Sequence, residues 1–252
     1  MPQLSKNDQE RYSRQITLPE IGVSGQQKLK AAHVVLAGAG GLGSSAGYYL
    51  AAAGIGRLRV LDCDQLELSN LNRQVLHGEG ALGKSKVGSA VRRLGEFNSA
   101  IDIEGIDERI TDDSAVRLLE GADAVVDCMD NFEARFALNA AALKLGIPFF
   151  HGACYGMEGR VALIVPGKTP CLRCLVPSLE SIYSGPPGGK PPVLGSTPGI
   201  IGAIQAAEVV KYFTGAGKSL AGRLLVYDGL NLSFNLFKVE RDADCPACGK
   251  KK

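Results

Sequence analysis

Four of the seven cysteines fall in two Cys-x-x-Cys pairs, Cys171 with Cys174 and Cys245 with Cys248. Each pair places two thiolates on one turn, and two such turns complete a tetrahedral four-thiolate zinc site. A closed site of four thiolates is structural rather than catalytic. The pairs are about 70 residues apart, long for a zinc ribbon, so the fold must bring them together. The rival use of one such pair is a redox couple. Cys63 and Cys128 sit at strand ends and read as small buried hydrophobes, whereas Cys154 follows a strand and could be exposed.

A second set of residues suits phosphate chemistry. Gly38, Gly40 and Gly43 fit G-x-G-x-x-G, with Gly41 inside the motif, after an apolar run and before a helical one. Such glycines let the backbone turn tightly beside a phosphate, and the helix start supplies N–H donors. Asp62 follows Gly43 by 19 residues, at the end of the next strand, where a ribose-binding acid belongs. The alternative is a tight turn with no ligand. Arg73 and Lys86 can point at the same crevice, and two cations suit a triphosphate that is cleaved better than a dinucleotide. Asp130, closing the fourth strand, is a natural Mg²⁺ ligand beside a triphosphate. The plainer readings are that Asp130 caps the helix beginning near Glu133 and that Arg73 and Lys86 are solvated surface charges.

These groups need a scaffold that gathers them. Strand runs at 33–37, 57–62, 101–106, 124–128 and 147–151 alternate with helical runs at about 43–53, 84–97, 112–119 and 133–145. That alternation predicts a doubly wound, Rossmann-like α/β fold with parallel strands. Residues 159–165 and the runs inside GRLLVYDG and SFNLFKVE read as further strands, so one sheet continues into a mixed or antiparallel C-terminal part. Residues 5–16 read as a helix with Ser5 and Asp8 as a capping box, and 199–213 as an apolar helix. The Pro/Gly-rich stretch 166–198 reads as a long loop, mobile over 175–198, that guides an extended tail. We expect a single domain over 1–252, its nucleotide-binding half about 1–151 and its zinc-knuckle half about 152–252.

Composition is that of an ordinary globular chain, with 45% apolar and 21% charged residues. A net charge of +2 excludes a whole-protein basic field for nucleic acid. No apolar run reaches the 18 or so residues of a membrane span, and the amino terminus lacks a secretory signal. A cytoplasmic protein, with reduced cysteines, is expected.

The ordered stretches RYSRQI (11–16), GAGGLG (38–43), LDCD (61–64), LSNLNRQ (68–74), GKSKV (83–87), DCMDN (127–131) with Arg135 and Asn139, PCLRC (170–174) and CPAC (245–248) resemble the MoeB/ThiF/HesA family, bacterial relatives of ubiquitin-activating enzymes. The likeness is greatest to its MoeB-type and ThiF branches. It implies an adenylyltransferase that uses ATP to activate the C-terminal glycine carboxylate of a small ubiquitin-like sulfur carrier, releasing pyrophosphate. It also implies that Asp62 takes the ribose hydroxyls, that Asn70, Arg73 and Lys86 contact the phosphates, and that Asp130 holds Mg²⁺ beside Asn131. Asp64, Ser69 and Gln74 belong to the same nucleotide-contacting stretches. Arg14 is expected to reach the ATP of a partner in a homodimer; without the resemblance, Arg11 and Arg14 read as a charged helix face.

Many relatives carry a cysteine in the loop after the first Cys-x-x-Cys, and this chain has none between Cys174 and Cys245. No thioester is expected from that loop, sulfur is expected from a separate donor protein, and Cys154 is the remaining exception. The competing functions are an NAD-dependent oxidoreductase on the same glycine loop and a non-catalytic, zinc-stapled binding module. The first gives Arg73 and Lys86 no purpose, and their presence with Asp130 weighs against the second.

Overall fold

Continuous apolar strand runs require cover on both faces, which a parallel sheet between two helical layers provides. The structure, a computed structural model, describes residues 1–176 and 192–249 and follows this plan. Helices α1 (Lys6–Arg11), α2 (Ser13–Ile16) and α3 (Gly22–Ala31) lead into β1 (His33–Ala37), α4 (Gly41–Ala53) and β2 (Arg57–Leu61). Then come α5 (Lys86–Phe97), β3 (Asp102–Ile106), α6 (Asp112–Leu119), β4 (Ala124–Asp127), α7 (Phe132–Leu145) and the hairpin β5 (Phe149–Tyr155) and β6 (Glu158–Ile164). The short α8 (Leu172–Leu175), the long α9 (Ser196–Thr214), β7 (Arg223–Asp228) and β8 (Ser233–Lys238) complete the order.

The eight strands form one sheet in the order β3-β2-β1-β4-β5-β6-β7-β8. Pairing is parallel from β3 to β5 and antiparallel from β5 to β8. The strands progress outward one way from β1 and the other way from β4. The β1/β4 boundary is therefore a switch point, where the crossover helices diverge and leave a crevice at the strand carboxyl ends.

Side chains of β1 divide between two cores. Val34 and Leu36 join a cluster with Leu50, Leu94 and Ile201 from α4, α5 and α9. Val35 and Ala37 face the opposite layer, with Leu118, Leu138, Cys171 and Cys245. The two central helices of the first layer approach closely because small residues allow it. A Cβ on Gly202 of α9 would lie 2.3 Å from the Leu42 carbonyl of α4.

Several expectations change in detail. The Ser5–Asp8 capping box forms, with the Asp8 N–H donating to Ser5 Oγ at 3.1 Å and the Ser5 N–H to Asp8 at 2.8 Å. The 5–16 helix, however, breaks at Tyr12, whose buried hydroxyl accepts from Asn98 Nδ2 at 2.9 Å. Helix α3 is absent from the sequence reading. Its Gly22 and Gly25 are poor helix formers, yet a Cβ at Gly25 would lie 3.2 Å from Thr214 Cγ2, so glycine lets α3 lie against the end of α9. Strand β5 continues past His151 to Tyr155, since β6 supplies its ladder. Helix α9 starts at Ser196, and Pro198 is tolerated because the first turn needs no N–H from it. Within the expected loop, 172–175 is helical and Val193 bridges Gly156. The rest of the expected mobile guide, 177–191, lies outside the described residues.

Candidate active site

A cleft of about 650 Å³ opens at the switch point, lined by Gly38, Gly40, Gly41, Asp62, Arg73 and Lys86 among others. Gly38 follows β1 with φ +100°, a conformation open to glycine, and a Cβ there would lie 2.7 Å from the Cys128 carbonyl. Gly43 does not line the cleft. Its place is against the loop's own backbone, 1.9 Å from the Gly38 carbonyl for a built Cβ.

The loop is held through one peptide. The Ala39 N–H donates to Asp62 at 2.8 Å, while His77 Nε2 meets the Ala39 carbonyl at 2.8 Å. A carbonyl accepts only, so Nε2 carries the proton and Nδ1 accepts from Ser89 Oγ at 3.0 Å. Burial lowers the His77 pKa, consistent with a neutral ring. The second oxygen of Asp62 accepts the Asp64 N–H at 2.9 Å. Burial raises the Asp62 pKa in spite of both bonds. Donors from a ribose would favour its charged form.

The cations are placed by short-range structure. The Asn70 carboxamide accepts the Glu67 N–H at 3.0 Å, and the Asn70 carbonyl takes the N–H groups of Arg73 and Gln74. Ser69 and Asn70 thus build the turn that presents Arg73 and Gln74, and neither lines the cleft. The Arg73 guanidinium donates to the Ser69 carbonyl at 2.8 Å and to Asn72 at 3.0 Å. Gln74 is buried beside the cleft, and its Oε1 has no hydrogen-bond partner in the protein. The Lys86 side chain is 7% exposed and its Nζ pairs with Asp64 at 2.7 Å. An ammonium has three donors, so this pair aims the charge while leaving donors for a phosphate.

Asp130 and Asn131 also line the cleft. Asn131, rather than Asp130, caps α7 by accepting the Ala134 N–H at 2.9 Å. The rival capping role of Asp130 is thereby taken by its neighbour, and Asp130 is left exposed at the cleft. Arg14 is exposed on α2 and does not line the cleft of its own chain. The sequence reading assigns no site role to Arg109, Arg173 or Arg135, yet all three line the cleft. Arg173 sits between the cysteines of the first knuckle, its guanidinium 3.5 Å from the Phe136 ring centre. Its place inside Cys-x-x-Cys is the signal available in the sequence.

The four knuckle thiols converge, with all Sγ atoms within 4.8 Å of one another. Cys171 and Cys245 are 3.6 Å apart and Cys174 and Cys248 3.5 Å. A disulfide needs about 2.05 Å, whereas a tetrahedron with Zn–S of about 2.3 Å has edges near 3.8 Å. The set therefore fits a structural zinc ion. Cys63 is exposed, contrary to the expected buried role, because β2 ends at Leu61 and the chain turns out beside Asp62 and Asp64. Cys128 is buried and Cys154 half-buried. Burial pushes the Cys154 thiol up to about 12 and Cys128 well above its ordinary value.

Residues 12–247 match the ThiF family. The chain is 42% identical to the sulfur carrier protein adenylyltransferase of Thermus thermophilus, over 97% of this chain and 92% of that one. It is 41% identical to the SAMP-activating enzyme E1 of Haloferax volcanii, over 96% and 89% of the two chains. It is also 44% identical to the adenylyltransferase and sulfurtransferase MOCS3 of Culex quinquefasciatus, of which it spans 56%. Among solved structures, E. coli MccB with ATP superposes with a TM-score of 0.82 at 28% identity, covering 95% of this chain and 73% of that one. A switch-point cleft of this make-up, in a chain with these relatives, is that of an ATP-dependent adenylyltransferase. The chain belongs to the ThiF family. Among the described residues, no helix is long and apolar enough to cross a membrane.

Proposed function

We propose that the protein transfers AMP from ATP to the C-terminal glycine carboxylate of a ubiquitin-like sulfur-carrier protein ending in Gly-Gly, as the names of its Thermus and Haloferax relatives suggest. The observation that carries this reading is the convergence of Arg73, Lys86 and Asp130 on the glycine loop in one cleft. A carboxylate oxygen of the tail attacks the α-phosphorus, the bond to the bridging oxygen breaks, and pyrophosphate leaves with its electron pair. Nucleophile and electrophile are both anionic, so the site must neutralise charge as the bond forms.

Asp62 takes the ribose hydroxyls, the loop at Gly40 and Gly41 lies along the phosphates, and Arg73 and Lys86 stabilise the developing charge. Asp130, with Asn131 beside it, would hold Mg²⁺, which supplies charge neutralisation on the phosphate oxygens. Zinc on Cys171, Cys174, Cys245 and Cys248 staples the C-terminal segment to the α6/α7 layer.

We place Arg14 at the ATP of the second subunit of a homodimer, supported by its exposure away from its own cleft. The carrier's body finds apolar area on the edge strand β8, where Phe234, Leu236 and Phe237 are each more than half exposed. A cytoplasmic setting and a separate sulfur donor complete the reading.

The test is ATP–pyrophosphate exchange with diglycine-tailed carriers, tail-deleted carriers, and the Arg73→Ala and Asp130→Ala variants. Exchange that requires the tail and both side chains supports the reading. A folded protein that binds Mg·ATP but exchanges with no carrier, or one stabilised by NADH and not by ATP, refutes it.

A further inference from the structure

Under the cleft floor lies a buried polar network that nucleotide contacts do not explain. Asp127, the last residue of β4, is fully buried. One of its carboxylate oxygens accepts the Met129 N–H at 3.1 Å. The other accepts from His151 Nδ1 at 2.7 Å and lies 4.0 Å from Arg135 Nε. Burial lowers the His151 pKa, so the ring is a neutral donor and Arg135 is the counter-charge. Arg135, on the first turns of α7 with a side chain 8% exposed, donates to the Met129 carbonyl through Nε at 3.1 Å and through Nη2 as well. From α9, Gln205 Nε2 ties down the Asp127 carbonyl at 2.8 Å.

Both polar groups of the Met129 residue are thus clamped, the N–H by Asp127 and the carbonyl by Arg135. The next residue is Asp130. Removing a carboxylate and a guanidinium from water is costly, and apolar residues would fill the same space more cheaply. What the charged network provides is a fixed backbone at the step where the chain leaves β4 and enters the cleft.

We infer that Asp127 and Arg135 are positioning residues for Asp130: by fixing the Met129 backbone from both sides they aim the Asp130 carboxylate at the metal that accompanies ATP. This rests on the reading of Asp130 as the Mg²⁺ ligand. Partners one step removed from a metal ligand commonly matter about 10–100-fold in metal affinity or activity.

The experiment is carrier-dependent ATP–pyrophosphate exchange across a free Mg²⁺ series at saturating ATP, in the zinc-loaded protein and its Arg135→Lys, Arg135→Ala and Asp130→Asn variants. Lys at 135 keeps a cation beside Asp127 but loses the two-pronged grip on Met129, which guards against a variant that fails to fold. We expect half-saturating Mg²⁺ to rise about tenfold or more in Arg135→Ala and less in Arg135→Lys, with part of the rate recovered at high Mg²⁺. An unchanged Mg²⁺ curve in a folded Arg135→Lys or Arg135→Ala protein, beside a shifted one in Asp130→Asn, overturns the positioning role alone. No shift in Asp130→Asn overturns the metal reading and this inference with it. A second readout needs no variant: rapid hydrogen exchange of the Met129 amide in the wild-type protein would also overturn it.

Discussion

Two glycines of one motif should respond oppositely to the same methyl group. At Gly43 a built Cβ falls 1.9 Å from the Gly38 carbonyl oxygen and 2.9 Å from its carbon. Ordinary contact begins near 3.4 Å, so about 1.5 Å must be recovered between two backbone segments, with no side chain able to swing away. Overpacking a well-fitted site costs about 1–3 kcal/mol, occasionally more, and a backbone clash belongs at the upper end. At about 3 kcal/mol, a chain of this size loses roughly 6–12 °C of Tm. At Gly40 the nearest atom to a built Cβ is Gln74 Nε2 at 3.6 Å, and φ is −79°. The methyl group there makes only that ordinary contact, on a residue that lines the cleft. Gly40→Ala should therefore keep its Tm within about 2 °C, less than 1 kcal/mol, and weaken ATP instead. The assay is thermal unfolding with and without Mg·ATP, alongside ATP titration by calorimetry. A Gly43→Ala protein as stable as wild type, or a Gly40→Ala protein that loses stability while binding ATP normally, refutes the reasoning from loop geometry.

Stripping zinc should cost more than a local rearrangement. A cross-link between residues 171 and 245 closes a loop worth about 4 kcal/mol in chain entropy, so a strong chelator should lower Tm by roughly 8–16 °C, reversed by zinc, and calorimetry that finds no change refutes the site. Mixing Arg14→Ala and Asp130→Ala proteins, each inactive, should restore about a quarter of wild-type exchange, since half the dimers are mixed and each has one intact site; no recovery after subunit exchange refutes the in-trans arrangement. His33, His77 and His151 all have pKa values lowered from 6.5 by burial. The unfolded chain takes up protons that the native state refuses, so their stabilising contribution, full above about 6.5, is lost as pH falls through the lowered native values, and a Tm flat from pH 7 to 5 would contradict it. Incubation with carrier and ATP should give no covalent adduct by intact mass, because burial raises the Cys128 and Cys154 thiols and Cys63 is raised by burial and two neighbouring carboxylates. A hydroxylamine-labile or reductant-labile adduct would overturn that.

Much of the site is legible in the sequence because its chemistry is carried by short segments. The glycine loop and Asp62 are legible by their spacing, and the Arg73 turn is a local arrangement fixed by hydrogen bonds within a few residues. The zinc cysteines are legible as pairs, but their meeting across the chain depends on α8 and the C-terminal segment reaching one layer of the sheet. Cys63 is misread from sequence because exposure beyond a strand end depends on the turn that follows. Helix α3 escapes the sequence reading because its glycines make sense only against α9.

The sequence by itself determined the alternation of strands and helices, the phosphate loop and the two cysteine knuckles, because hydrophobic period, glycine spacing and thiol spacing are one-dimensional signals. The tertiary structure decided which long-range partners aim those groups. His77 holds Ala39 from 38 residues away, and Asp127 is met by His151 from 24 residues away and by Gln205 from 78. Such contacts come from strand order and helix packing, and a polar residue's lone position in the chain does not specify which distant carbonyl or carboxylate it will meet when buried.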